Sequence, residues 1–161
     1  MLGLTLRFRR RLSFDVKLLS TMNELVEKIR SIGFMNGVAD LHAMHELVEE
    51  ISKTKNGRLV IPSMFQFFEE HAYEDIGSPG PFVHFIEEAN DYNELLVSSI
   101  KRKPTFITIW MVNRILNGSL AQKEREIWLN LMRDVEFNPT TDKHIKEAVN
   151  GFLKHQQERA T

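Results

Sequence analysis

The 161-residue chain contains no cysteine. Disulfides, thiol nucleophiles and thiolate metal sites are therefore excluded, and a reducing compartment suits it. Long hydrophobic runs are also missing. The longest, FITIWMV over residues 106–112, is far short of the roughly 20 residues a spanning helix needs. The basic N-terminus MLGLTLRFRRRLSF places its charges after its short apolar part, the reverse of a secretory signal. A formal net charge of −1 leaves no overall excess of either sign, so a broadly cationic nucleic-acid binder is not indicated. These absences point to a cytoplasmic protein with neither nucleic acid nor membrane as its partner.

What is present is helical periodicity. Thr21 with Glu24 reads as a capping box, and Leu25, Ile29 and Ile32 follow on one face before Gly33. A second helix is expected from about Asn36 to Lys53 on the spacing of Leu41, Met44, Val48 and Ile51, ending at Asn56-Gly57. Pro62 opens a third with Met64, Phe65 and Phe68, and Pro81 a short fourth with Phe82, Phe85 and Ile86. Asp91 with Glu94 reads as a second capping box, and Pro104 separates that helix from the next. Residues 106–117 are apolar nearly all round and belong in the interior. Ser119 is expected to cap a long amphipathic helix, and Pro139-Thr140-Thr141 precede a last one with Ile145, Val149 and Phe152. The fold class is all-α: about eight helices in antiparallel pairs, forming a compact α-solenoid-like (HEAT-like) stack or an irregular bundle. Residues 1–20, with Arg7, Arg9, Arg10 and Arg11, read as a separate basic arm, as a short strand or loose segment, or as a leader before Met22. Residues 21–161 read as a single helical domain.

No motif for catalysis stands out. His42, His45, Glu46 and Glu49 lie on one predicted helix, but the order His-x-x-His-Glu is not the His-Glu-x-x-His of a zinc helix, and no third ligand is signalled. No metal or other cofactor is expected. His71 and His84 flank the turn Gly77-Ser78-Pro79-Gly80-Pro81 near several carboxylates, which leaves an acid–base enzyme as one reading. The turn itself is a poor phosphate cradle: it has no lysine, and two prolines remove backbone donors. Asn113 and Arg114 fall in the apolar helix, where Arg114 would need a carboxylate partner.

Charge is unevenly spread. From Gly37 to Leu96 there are 12 acids against 3 bases, so this window carries about −9 and the remainder about +8. The acids Glu69, Glu70, Glu74, Asp75, Glu87, Glu88 and Asp91 flank the proline-rich turn. If helix ends lie side by side, these acids form one anionic rim that speeds docking of a cationic protein. Phe82, Tyr73 and Tyr92 are the aromatic candidates for lasting affinity.

EDIGSPGPFVHFIE followed by YNELLVSSIKRKPTFITIWMVNRILNG, roughly Glu74 to Gly118, resembles the small helical immunity proteins of bacterial polymorphic-toxin and contact-dependent growth-inhibition systems. The resemblance implies a cytoplasmic, non-catalytic protein that binds a cognate toxin and covers its active site. It also implies a basic toxin surface, since many such toxins are nucleases. The competing expectations are a generic helical-repeat scaffold with an unrelated partner, and an enzyme using His71 or His84 with nearby carboxylates.

Overall fold

The computed structural model describes residues 2–159 apart from Asn90, with side chains described from Val16 onward. Among the described residues there are eight α-helices, one 3₁₀ turn and one two-strand hairpin. The chain is mostly helical and compactly packed.

Helix α1 runs from Leu2 to Arg30. Thr21 therefore lies inside a helix and does not start one. Its hydroxyl donates to the Lys17 carbonyl at 3.0 Å, one turn back, a bond that lets a threonine sit within a helix. Residues 4–20 contain neither proline nor glycine, so nothing local interrupts the helix before Thr21. The backbone of the expected arm from Leu2 to Ser20 is thus the N-terminal part of α1, while Met1 and the side chains of its four arginines lie outside the described residues.

Asn36-Gly37 turns the chain in place of starting a helix. Both residues have positive φ, 53° and 78°, the combination that a tight two-residue hairpin turn requires. Strands β1 (Phe34–Met35) and β2 (Val38–Ala39) pair antiparallel around it. Asp40 then caps α2 (Leu41–Lys53) by accepting from the Ala43 amide at 2.9 Å. A 3₁₀ turn (Gly57–Val60) leads into α3 (Ile61–Glu70), with Pro62 in its first turn.

Beyond the 71–80 connection come α4 (Pro81–Glu87) and α5 (Asn93–Arg102). Asp91 does not cap α5; Tyr92 occupies the cap position with no side-chain bond. Helix α6 (Phe106–Asn117) starts at Thr105, whose hydroxyl and that of Thr108 reciprocally bond the first-turn amides. Helix α7 (Gln122–Phe137) begins two residues later than Ser119 would place it, with Ala121 at its cap position. Asp142 caps α8 (Lys143–Glu158).

Each helix packs on neighbours one or two along the chain: α1 on α2 and α3, α2 on α4, α3 on α5, and α6 on α5, α7 and α8. One continuous apolar core links them, from Leu25 and Ile29 through Phe65, Phe67, Phe68 and Phe82 to Ile109, Met111 and Val149. As its composition requires, α6 is the innermost helix of the C-terminal half. Its buried Asn113 accepts from Gln156 at 2.7 Å, and Gln156 in turn accepts from Arg125 at 2.8 Å. Arg125 also donates to the Leu116 carbonyl at 2.8 Å, so α6, α7 and α8 are tied through satisfied polar groups. Among the described residues no helix is long and apolar enough to cross a membrane.

The antiparallel helices define two ends. Arg102 and Lys103, where α5 stops, bond Glu69 at the end of α3. Tyr92, where α5 begins, shares a recess with Glu87 and with Arg114 and Asn117 near the end of α6. The two ends are separated by the length of α5 or α6, about 15–18 Å at 1.5 Å per residue.

Candidate functional site

The 71–80 connection is built around its backbone. The Asp75 amide donates to the Gly37 carbonyl and the Asp75 carbonyl accepts from Ala39, each at 2.8 Å, in a parallel bridge that docks the connection onto β2. One Asp75 carboxylate oxygen accepts from the Gly77 amide at 2.9 Å. Gly77 has φ +83°, and a Cβ on Gly80 would lie 2.1 Å from the Ile76 carbonyl oxygen. Glycine is thus required at both places, once for dihedral and once for space. The proline-rich turn is a stiff corner that fixes the start of α4.

The seven acids do not make one rim. Glu69 is turned inward, 14% exposed: it pairs with Arg102 at 2.7 Å, accepts from the Ser99 hydroxyl at 2.6 Å, and Lys103 donates to its carbonyl. Glu87 forms a two-pronged pair with Arg114 at 2.7 and 2.8 Å, and the guanidinium lies 5.0 Å over the Trp110 ring. The Glu87 hydrogen bond holds Arg114 above its usual range. Both acids brace helices, as Arg114's place in an apolar helix demands. Glu70, Glu74 and Asp75 stand exposed at the end that carries the hairpin. Glu88 and Asp91 are exposed near the other end, where Glu88 borders a recess with Arg58 and Asn56. Helix α4 carries the chain away from the turn before Glu88 and Asp91 are reached, which is why adjacency in sequence does not become one patch.

The aromatic candidates also divide. Phe82 is wholly buried and makes an edge contact with Phe67; it belongs to the core and cannot be a contact residue. Tyr92 is half-buried beside Glu87 and Arg114 at the far end, and burial raises its pKa above 10.0. Tyr73 is 73% exposed, and its hydroxyl donates to Asp142 at 3.2 Å, which raises its pKa as well.

His71 shares one recess with His144, Glu74 and Asp75, whereas His84, its expected partner across the turn, does not line that recess. His84 and His42 are exposed, and His42 lies 3.5 Å from Glu46. His71 is stacked on Phe34 and leans on Phe67, with ring centroids 4.3 and 4.6 Å away, and so locks the hairpin to α3. Its Nδ1 is buried and lies 3.8 Å from Glu74, beyond hydrogen-bonding distance. Among the described residues no group of three potential ligands could hold a metal ion.

Sequence reasoning missed the apolar part of this face. Met35 and Val38 are exposed large hydrophobics on the hairpin, and Leu41, expected in the core, is 37% exposed beside Gly77. The overlooked signal was Asn36-Gly37 between apolar residues. Next to this face lies a recess of about 350 Å³ between the 71–78 segment, the start of α6 and His144. A second, of about 460 Å³, adjoins it at Ala72 and Tyr73 and is lined by both signs of charge, Lys101, Arg102 and Lys103 with Asp134 and Asp142. No protein-family model, curated protein or solved structure matches the chain.

Proposed function

We propose that this protein is a non-catalytic binding protein of the immunity type, which neutralises a cationic toxin by covering it. The binding face is the hairpin end of the stack. The observation that carries the reading is the company Tyr73 keeps: exposed Met35, Val38 and Leu41 lie on the hairpin and the start of α2, to which the Tyr73 segment is docked, and exposed Asp40, Glu70, Glu74 and Asp75 border them. Apolar anchors bordered by carboxylates suit a specific docking surface: the anchors supply affinity, and the charge sets encounter rate and partner choice. Lys101, Arg102 and Lys103 line the recess that adjoins Tyr73 and bound the acidic part of the face there. The acids at the Glu88 and Asp91 end are outside this face. His71 serves the face as a brace, its ring held between two phenylalanines, which favours binding over acid–base chemistry at this histidine.

The test uses the product of a neighbouring gene as the partner, co-purified with this chain. Glu70→Lys with Glu74→Lys should slow association at low salt by about tenfold or more, the range over which steering acts. Glu88→Lys with Glu94→Lys should leave the rate within about twofold. Equal effects of the two pairs, or no effect of the first, would overturn the assignment of the face.

A further inference from the structure

We infer that the 350 Å³ recess beside this face is a receptor for one cationic side chain, a guanidinium or ammonium group, offered by the partner. The inference rests on the reading that the partner is basic, and it names the contact that would confer specificity. The recess is at the small end of ligand pockets, which run from about 300 to 1,000 Å³, so it suits a single side chain.

Its lining contains Glu74, Asp75 and Ser78 and, among the described residues, no lysine or arginine. Both carboxylates are anchored through one oxygen only. Glu74 Oε2 accepts from the Tyr73 amide at 3.3 Å, and Asp75 Oδ1 from the Gly77 amide at 2.9 Å. Glu74 Oε1 and Asp75 Oδ2 accept no hydrogen bond among the described residues, and His71 Nδ1 stops 3.8 Å short of the first. The two remaining carboxylate oxygens, on residues that line one recess, are acceptors for the forked donors of arginine. The lining is also aromatic: Phe106 with His144 stacked on it at 6.4 Å, and the buried Phe68. The exposed His144 ring and the half-buried Phe106 ring share the recess with the carboxylates, and aromatic rings are surfaces on which a guanidinium stacks. The neighbouring 460 Å³ recess makes a useful contrast, because Lys101, Arg102 and Lys103 line it and would repel such a group.

The probe is Nα-acetyl-arginine amide, titrated into the full chain at low ionic strength and followed by the ring resonances of His71, His144 and Phe106. The expected result is a saturable shift of these signals that Nα-acetyl-citrulline amide, equal in shape and uncharged, does not reproduce. Glu74→Gln with Asp75→Asn keeps both anchoring hydrogen bonds and should weaken binding by about tenfold or more. Asp134→Asn, in the neighbouring recess, should leave it unchanged. No saturable shift, or equal shifts with citrulline, would overturn the inference. Failure here, with the Glu70 and Glu74 reversals still slowing a basic partner, would remove the receptor and leave the binding face. Arginine amide binding without any basic protein partner would do the reverse.

Discussion

Tyr73 and Tyr92 are the two tyrosines of the chain, and each has a raised pKa for a different reason. Tyr73 is raised first by its hydrogen bond to Asp142, and Tyr92 first by burial. An ultraviolet phenolate titration should therefore show both midpoints above 10. Asp142→Asn retains an acceptor for the His144 amide but removes the negative charge, so it should lower the Tyr73 midpoint and leave Tyr92 in place. For stability the sign follows from proton linkage. The folded state holds the Tyr92 proton more tightly than the unfolded state, so the folded state binds more protons above pH 10. Stability from this group is complete below about pH 10 and is lost as pH rises through the folded value. Tyr92→Phe should flatten that alkaline loss in a urea unfolding series, and an unchanged slope would refute the cause. At this scale the sequence foretold that Arg114 would need a carboxylate. It did not foretell that Glu87 would be the partner, because that pairing joins α4 to α6 across the stack.

Elements were legible where a local signal had no rival. Pro62 and Pro81 each sit in the first turn of a helix, as proline's fixed φ favours. Capping was less legible, because a hydroxyl can bond backward inside a helix as well as forward at its start. Thr21 does the first. Thr105 does the second, with Thr108 in the place usually held by Glu or Gln. Thr105 is 1% exposed, so its first-turn amides have no recourse to water. Thr105→Ala should cost about 1–2 kcal/mol, measured by the urea midpoint. Thr21→Ala, which removes no cap, should cost under about 0.5 kcal/mol; a larger loss at Thr21 than at Thr105 would reverse this assignment. The hairpin was overlooked because the apolar spacing of Leu41, Met44 and Ile51 extends smoothly back toward Asn36, and period alone cannot tell where a helix begins.

At the scale of the molecule, one core cluster runs from α1 to α8 without a break. Trp110 lies on α6 and Trp128 on α7, while most helical signal comes from all eight helices. Tryptophan fluorescence and far-ultraviolet circular dichroism should therefore report the same urea midpoint, as a single cooperative unit requires; separated midpoints would show that the halves unfold independently. The charge asymmetry is equally a whole-molecule property. Counting along the sequence established that acids predominate between Gly37 and Leu96, but α4 carried Glu88 and Asp91 to the end away from Glu70, Glu74 and Asp75, and Glu69 and Glu87 were drawn into ion pairs. The sequence by itself determined the helical class, most helix positions and the interior place of α6, since hydrophobic period and proline chemistry act within a few residues. Only the tertiary structure decided which carboxylates remain exposed, that Phe82 is core, and that a hairpin presenting Met35 and Val38 docks on the segment of Asp75. Those outcomes depend on contacts between residues tens of positions apart, where burial and pairing set the energy and local spacing carries no information.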